Sequence, residues 1–85
     1  MFFFMYIIYS EKRDKYYIGY TANLKTWVEK HNLEATRSTR SGIPWILVYS
    51  EEFENKSDVI KRELAIKRKK SRKYIVSLIT SKDPG

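Results

Sequence analysis

The sequence predicts a small α+β domain, a three-stranded antiparallel sheet flanked by about three helices. Two runs rich in β-formers, Tyr6-Ile7-Ile8-Tyr9 and Tyr16-Tyr17-Ile18-Gly19-Tyr20, are joined by the short polar connector from Ser10 to Lys15. Such a pair reads as an antiparallel hairpin. A third β-rich run follows Pro44, and apolar residues at three- and four-residue spacing mark helices before and after it. The resulting order is strand, strand, helix, strand, helix, helix, which places helices against an antiparallel sheet.

The first strand is expected over Phe3 to Tyr9. It is apolar at successive positions and so on both faces, which places it at the centre of the sheet. The second runs from Lys15 to Tyr20. Thr21 is the expected N-cap of a helix over Ala22 to Asn32, with Leu24, Trp27, Val28 and His31 on one stripe. Residues 33–42 are polar and aperiodic and read as a loop. Trp45 to Ser50 gives the third strand. Asn55, with Asp58 three residues on, has the character of a capping box and opens a helix reaching Lys69. Val59, Ile60, Glu63, Leu64 and Ile66 mark its inner side, and its basic residues the outer. Ser71 caps a last helix whose buried stripe is Tyr74, Ile75, Leu78 and Ile79. One domain over residues 1–80 and a short tail at 81–85 are expected, since 85 residues leave no room for a second core.

Composition narrows the function. There is no cysteine, which excludes disulfides and thiolate metal sites, and one histidine alone builds no zinc centre. The formal net charge is +7. From Lys56 to Lys73 the chain has nine basic and two acidic residues, a surplus equal to that of the whole chain. A solvated helical face explains such a run in many proteins; its concentration here favours a surface that meets phosphates. The apolar stretch Met1 to Ile8 lacks a basic flank and a cleavage site and is too short to span a bilayer, so a buried strand and a cytoplasmic protein without a membrane partner are expected.

Several blocks occur in an order that resembles the GIY-YIG nuclease family. Phe4-Met5-Tyr6 stands where that family has its first tripeptide, keeping only the tyrosine, and Tyr17-Ile18-Gly19 matches the second. Thr21-Ala22-Asn23-Leu24, then Glu29-Lys30-His31-Asn32, then Ser38 to Trp45, and finally Lys61-Arg62-Glu63 continue the match to about Ile79. The likeness is to the small single-domain bacterial branch. It implies phosphodiester hydrolysis of nucleic acid, DNA in the first instance. The implied cofactor is a divalent metal, magnesium or alternatively manganese.

The resemblance assigns roles residue by residue. Tyr17 matches the tyrosine given the general-base role. A phenol with an ordinary pKa near 10 needs a nearby cation to act so at neutral pH, and packing in the strand is the competing explanation. Tyr6 matches the first tyrosine and would orient phosphate or water. Gly19 has a geometric role, through unusual dihedrals or close backbone approach. Glu63 matches the metal-binding glutamate, and one carboxylate suits magnesium, which keeps waters and substrate phosphates as its other ligands. An ion pair with Lys67, four residues on, explains Glu63 equally well by position. His31 matches a histidine of this branch, which implies a catalytic role, contacting phosphate or shuttling a proton; filling the core is the competing explanation. Arg37, Arg40, Lys61, Arg62, Lys67 and Arg68 are the candidate phosphate contacts.

One departure stands out. The family's catalytic arginine lies about four residues before the histidine, where this chain has Thr26 and Trp27. Neither offers a charged fork to phosphate. Loss of such a contact costs roughly 10²–10³ in rate, by analogy with one oxyanion donor. Lys25 lies about 100° away around the helix, and Arg37 or Arg40 would have to reach in from the loop. An impaired metal-dependent endonuclease is therefore the first expectation. A non-catalytic nucleic-acid-binding module on the same fold is the alternative, and a scaffold for an acidic protein the third.

Overall fold

The computed structural model describes residues 2–26 and 43–81. Three strands, β1 (Phe3–Ser10), β2 (Lys15–Thr21) and β3 (Trp45–Phe53), are followed by helices α1 (Lys56–Lys69) and α2 (Arg72–Ser81). The sheet is antiparallel with order β2-β1-β3, so the strand that is apolar on both faces is central. Met5, Ile7 and Ile8 within it are fully buried. β3 runs three residues beyond the expected end at Ser50 because Glu51, Glu52 and Phe53 continue to pair with β1. Its register shifts between Ile7 and Ile8, where Tyr49 and Leu47 are the partners and Val48 is the extra residue.

The two sheet faces carry separate clusters. Met5, Ile7 and Ile18 pack with Val59 and Ile66 of α1, and Tyr74, Ile75 and Leu78 of α2 close over them. Tyr6, Ile8 and Trp45 form the second cluster with Leu24 and Ile43. Alternation along β1 explains the division, since neighbouring side chains point to opposite faces.

Local capping follows the sequence at two helices and departs from it at one. The Asn55 side chain accepts from the Asp58 N–H at 3.0 Å, and Ser71 Oγ accepts from the Tyr74 N–H at 3.1 Å. α1 ends at Lys70, whose left-handed backbone (φ 47°) turns the chain into α2. The first helix starts at residue 24, and its cap is Asn23, not Thr21: Asn23 Oδ1 accepts from the Thr26 N–H at 3.1 Å. Thr21 belongs to β2 and its hydroxyl accepts from the Asn23 N–H instead. Ser81 lies within α2 rather than in a tail.

One basic residue of α1 faces inward. Arg62 places Nε 2.8 Å and Nη2 3.1 Å from the two carboxylate oxygens of Glu51 on β3. The Tyr49 hydroxyl donates to the same carboxylate. A forked guanidinium suits this planar partner, so the outer face expected for all the basic residues of α1 loses Arg62. At the other end of the sheet, Arg72 opens α2 and reaches the β1–β2 turn, contacting the Asp14 carboxylate at 2.5 Å and its carbonyl at 2.9 Å.

Candidate active site

The hairpin brings the two motif tyrosines to one face. Tyr6 pairs with Gly19 across the strands, and Tyr17 with Ile8. Tyr6 is nearly buried, whereas Tyr17 is 40% exposed. Gly19 makes the arrangement possible through close approach alone. A Cβ at that position would lie 2.6 Å from Tyr6 Cζ and closer still to the hydroxyl oxygen. The Tyr6 ring therefore crosses over β2 where a side chain is missing. No glycine among the described residues has positive φ, so unusual dihedrals play no part.

Trp45 supplies a wall that sequence reasoning assigned only to a strand. Its ring meets Tyr17 edge-on, with centroids 6.2 Å apart and planes at 64°, and it packs in the same cluster as Tyr6. A tryptophan placed directly after Pro44, at the start of an edge strand, was the available signal.

Burial comes first among the causes that push the Tyr6 phenol well above its usual range, followed by the charges of Tyr17 and Glu63. Tyr6 thus stays protonated at physiological pH, with a hydroxyl hydrogen it is able to donate. Glu63 is 13% exposed, and Lys67 Nζ sits 2.6 Å from its Oε1. The intrahelical pair weighed against metal binding is therefore present.

Thr26 lies in the first turn of the helix that starts at residue 24, with its N–H bound to Asn23. It places no charge at this position. Trp27, His31, Arg37 and Arg40 lie outside the described residues. Lys61 and Arg68 are exposed on α1. Arg62 is engaged by Glu51 and Lys67 by Glu63.

Two tyrosines over a glycine, one buried and one half-exposed, form a face suited to holding an anion and a water. Residues 2–75 match the GIY-YIG catalytic domain. The chain belongs to the GIY-YIG family. GIY-YIG proteins are a nuclease family, and small bacterial members resemble this chain over most of its length. A UPF0213 protein of Streptococcus pneumoniae is 36% identical over 69 residues, covering 79% of this chain and 68% of its own length. One from Staphylococcus haemolyticus is 35% identical over 65 residues, covering 75% and 78%. The solution NMR structure of a UPF0213 protein from Bacillus halodurans superposes with a TM-score of 0.62 at 27% identity, covering 99% of this chain and 88% of that one. The GIY-YIG-like α+β fold expected from the sequence is thus shared. No helix among the described residues is long and apolar enough to cross a membrane.

Proposed function

We propose that this protein is a divalent-metal-dependent DNA endonuclease of the GIY-YIG type, acting in the cytoplasm, with catalysis weakened at Thr26 and Trp27. The observation that carries the reading is the crossing of Tyr6 over Gly19 beside the half-exposed Tyr17, which brings the two motif tyrosines to one face of the hairpin. Tyr17, open to solvent, would take the proton of the attacking water as its phenolate, the form that a cation bound nearby favours, and so return to the neutral phenol. Tyr6, kept neutral by burial, donates a hydrogen bond that orients phosphate or water. Trp45 holds the Tyr17 ring edge-on.

Among the described residues no group of three or more His, Cys, Asp or Glu side chains gathers at one place. A cation would therefore be held by Glu63 with substrate oxygens and waters, the donor set that suits magnesium and, alternatively, manganese. The nearly buried Glu63 carboxylate fits that role once Lys67 releases it. Bound there, the metal would neutralise charge on the scissile phosphate and the leaving oxygen.

Labelled duplex, branched and single-stranded DNAs are incubated with the protein, with and without magnesium or manganese. Metal-dependent cleavage that disappears in Glu63→Ala and Tyr17→Phe is expected. Cleavage untouched by both substitutions would sink the reading.

A second reading is a binding module without catalysis. Thr26 lacks the arginine's charge, and Lys67 already neutralises Glu63. Thr26→Arg separates the two: a sharp gain in cleavage supports the enzyme, and unchanged DNA binding without cleavage supports the module.

A further inference from the structure

A second concave surface lies beyond the tyrosine face. A groove of about 440 Å³ runs between the edge strand β2 and the α1–α2 junction, in the roughly 300–1,000 Å³ range of ligand clefts. Its floor is apolar, built from Ile18, Ile66 and Ile75. Lys15, Lys67, Lys70 and Arg72 line it, with Asp14 as the one acid. Neither Lys15 nor Lys70 makes an ion pair among the described residues. Arg72 is fixed in place, bound to Asp14 and lying 5.1 Å from the Tyr16 ring centroid.

Two residues join the groove to the candidate active site. Tyr17 lines its wall, and Lys67, also lining it, is paired with Glu63. Cations at the rim and apolar or aromatic surface at the floor match the two faces of a nucleic-acid strand, phosphates on one side and sugar and base on the other. A second copy of this chain is a poor occupant, because it would bring the same cations against these. We propose that the groove lined by Lys15, Lys67, Lys70 and Arg72 carries the phosphate backbone of the nucleic-acid strand that flanks the phosphate held at Tyr17. This rests on the nuclease reading and adds to it the path of the substrate. The path follows the β2 edge toward the α1–α2 junction, and it leaves aside the outer face of α1 that carries Lys61.

The test is fluorescence anisotropy of labelled duplex and single-stranded DNA against salt. It uses the full chain, the double variant Lys15→Gln/Lys70→Gln, and a charge-matched control, Lys25→Gln/Lys56→Gln, whose residues do not line the groove. Both exchanged pairs are exposed, and thermal melts confirm that each variant is folded. For two lost phosphate contacts, the slope of log affinity against log salt falls by about 1.8 on duplex or about 1.4 on single strands. The control is expected to change it far less. A groove variant with the wild-type slope overturns the groove while leaving the nuclease reading standing. A wild-type protein that binds neither DNA, or binds without salt dependence, overturns both.

Discussion

Gly19 and Glu51 show how single residues fix the site and the frame behind it. At Gly19 the missing side chain is the space through which the Tyr6 ring passes. In Gly19→Ala the methyl would meet Tyr6 Cζ at 2.6 Å, and Tyr6 is too closely packed by Ile8 and Trp45 to move freely. The substitution is expected to cost about 1–3 kcal/mol through overpacking and to abolish any cleavage, checked by denaturant melts and by the DNA assay. A stable, fully active Gly19→Ala would show that Tyr6 need not cross there. Glu51 is held by opposing influences. Burial raises its pKa, but the Arg62 fork and the Tyr49 hydroxyl outweigh it and leave the carboxylate below its ordinary value. A carboxylate depressed in the folded state adds stability that is full above its unfolded value of about 4.5. That stability fades as pH falls through the lower folded value. Glu51→Gln should therefore lower stability by about 1–2 kcal/mol at pH 7, where a charge-assisted pair is lost. The difference from wild type should shrink on acidification below about pH 4.5. A difference independent of pH would contradict this account.

At the scale of elements, the two N-caps Asn55 and Ser71 and the central position of β1 were legible because each rests on local chemistry. A short polar side chain before an apolar stripe satisfies free N–H groups, and an apolar run on both faces needs cover on both sides. The end of β3 was not legible, since the acidic Glu51-Glu52 after Ser50 carries no β-pattern of its own and is held extended by Arg62 and the β1 pairing. Thr21 and Asn23 are both good caps, and only the length of β2 decides between them. The site was half legible. Tyr6, Tyr17, Gly19 and Glu63 came from the motif and the Glu63–Lys67 pair from its four-residue spacing, whereas the place of Trp45 depends on which face each element presents. The Arg72 tie between α2 and the β1–β2 turn was likewise invisible, because its partners are 58 positions apart. Its bond to Arg72, then that to Tyr9, lowers the Asp14 pKa below its ordinary 3.8. In Arg72→Met the Asp14 value should rise toward that figure, read by carboxyl NMR titration. An unmoved titration would mean that Arg72 does not hold the turn in solution.

Among the described residues each sheet face carries one thin core, and the two helices on the first face are unequally held. β1 runs through the centre with Met5, Ile7 and Ile8 fully buried, and α1 contributes Val59 and Ile66 to the same interior. α2 buries no residue completely. It leans on the first cluster through Tyr74, Ile75 and Leu78 and is tied at its start by the exposed Arg72–Asp14 pair. Exposed ion pairs add little, so α2 is the weaker partner even though the groove needs it in place. Regions with few buried apolar contacts open at lower free energy than the centre of a sheet. Native-state hydrogen exchange should therefore find the amides of β1 among the slowest, near the global unfolding limit. Amides in the second half of α2 should exchange through a cheaper opening. If α2 serves as one wall of a nucleic-acid groove, adding DNA should slow that opening, with a much smaller effect on β1. Equal protection of α2 and β1 in the free protein would mean that the last helix belongs to the cooperative core, and the groove would then be a rigid feature instead of one that substrate helps to close.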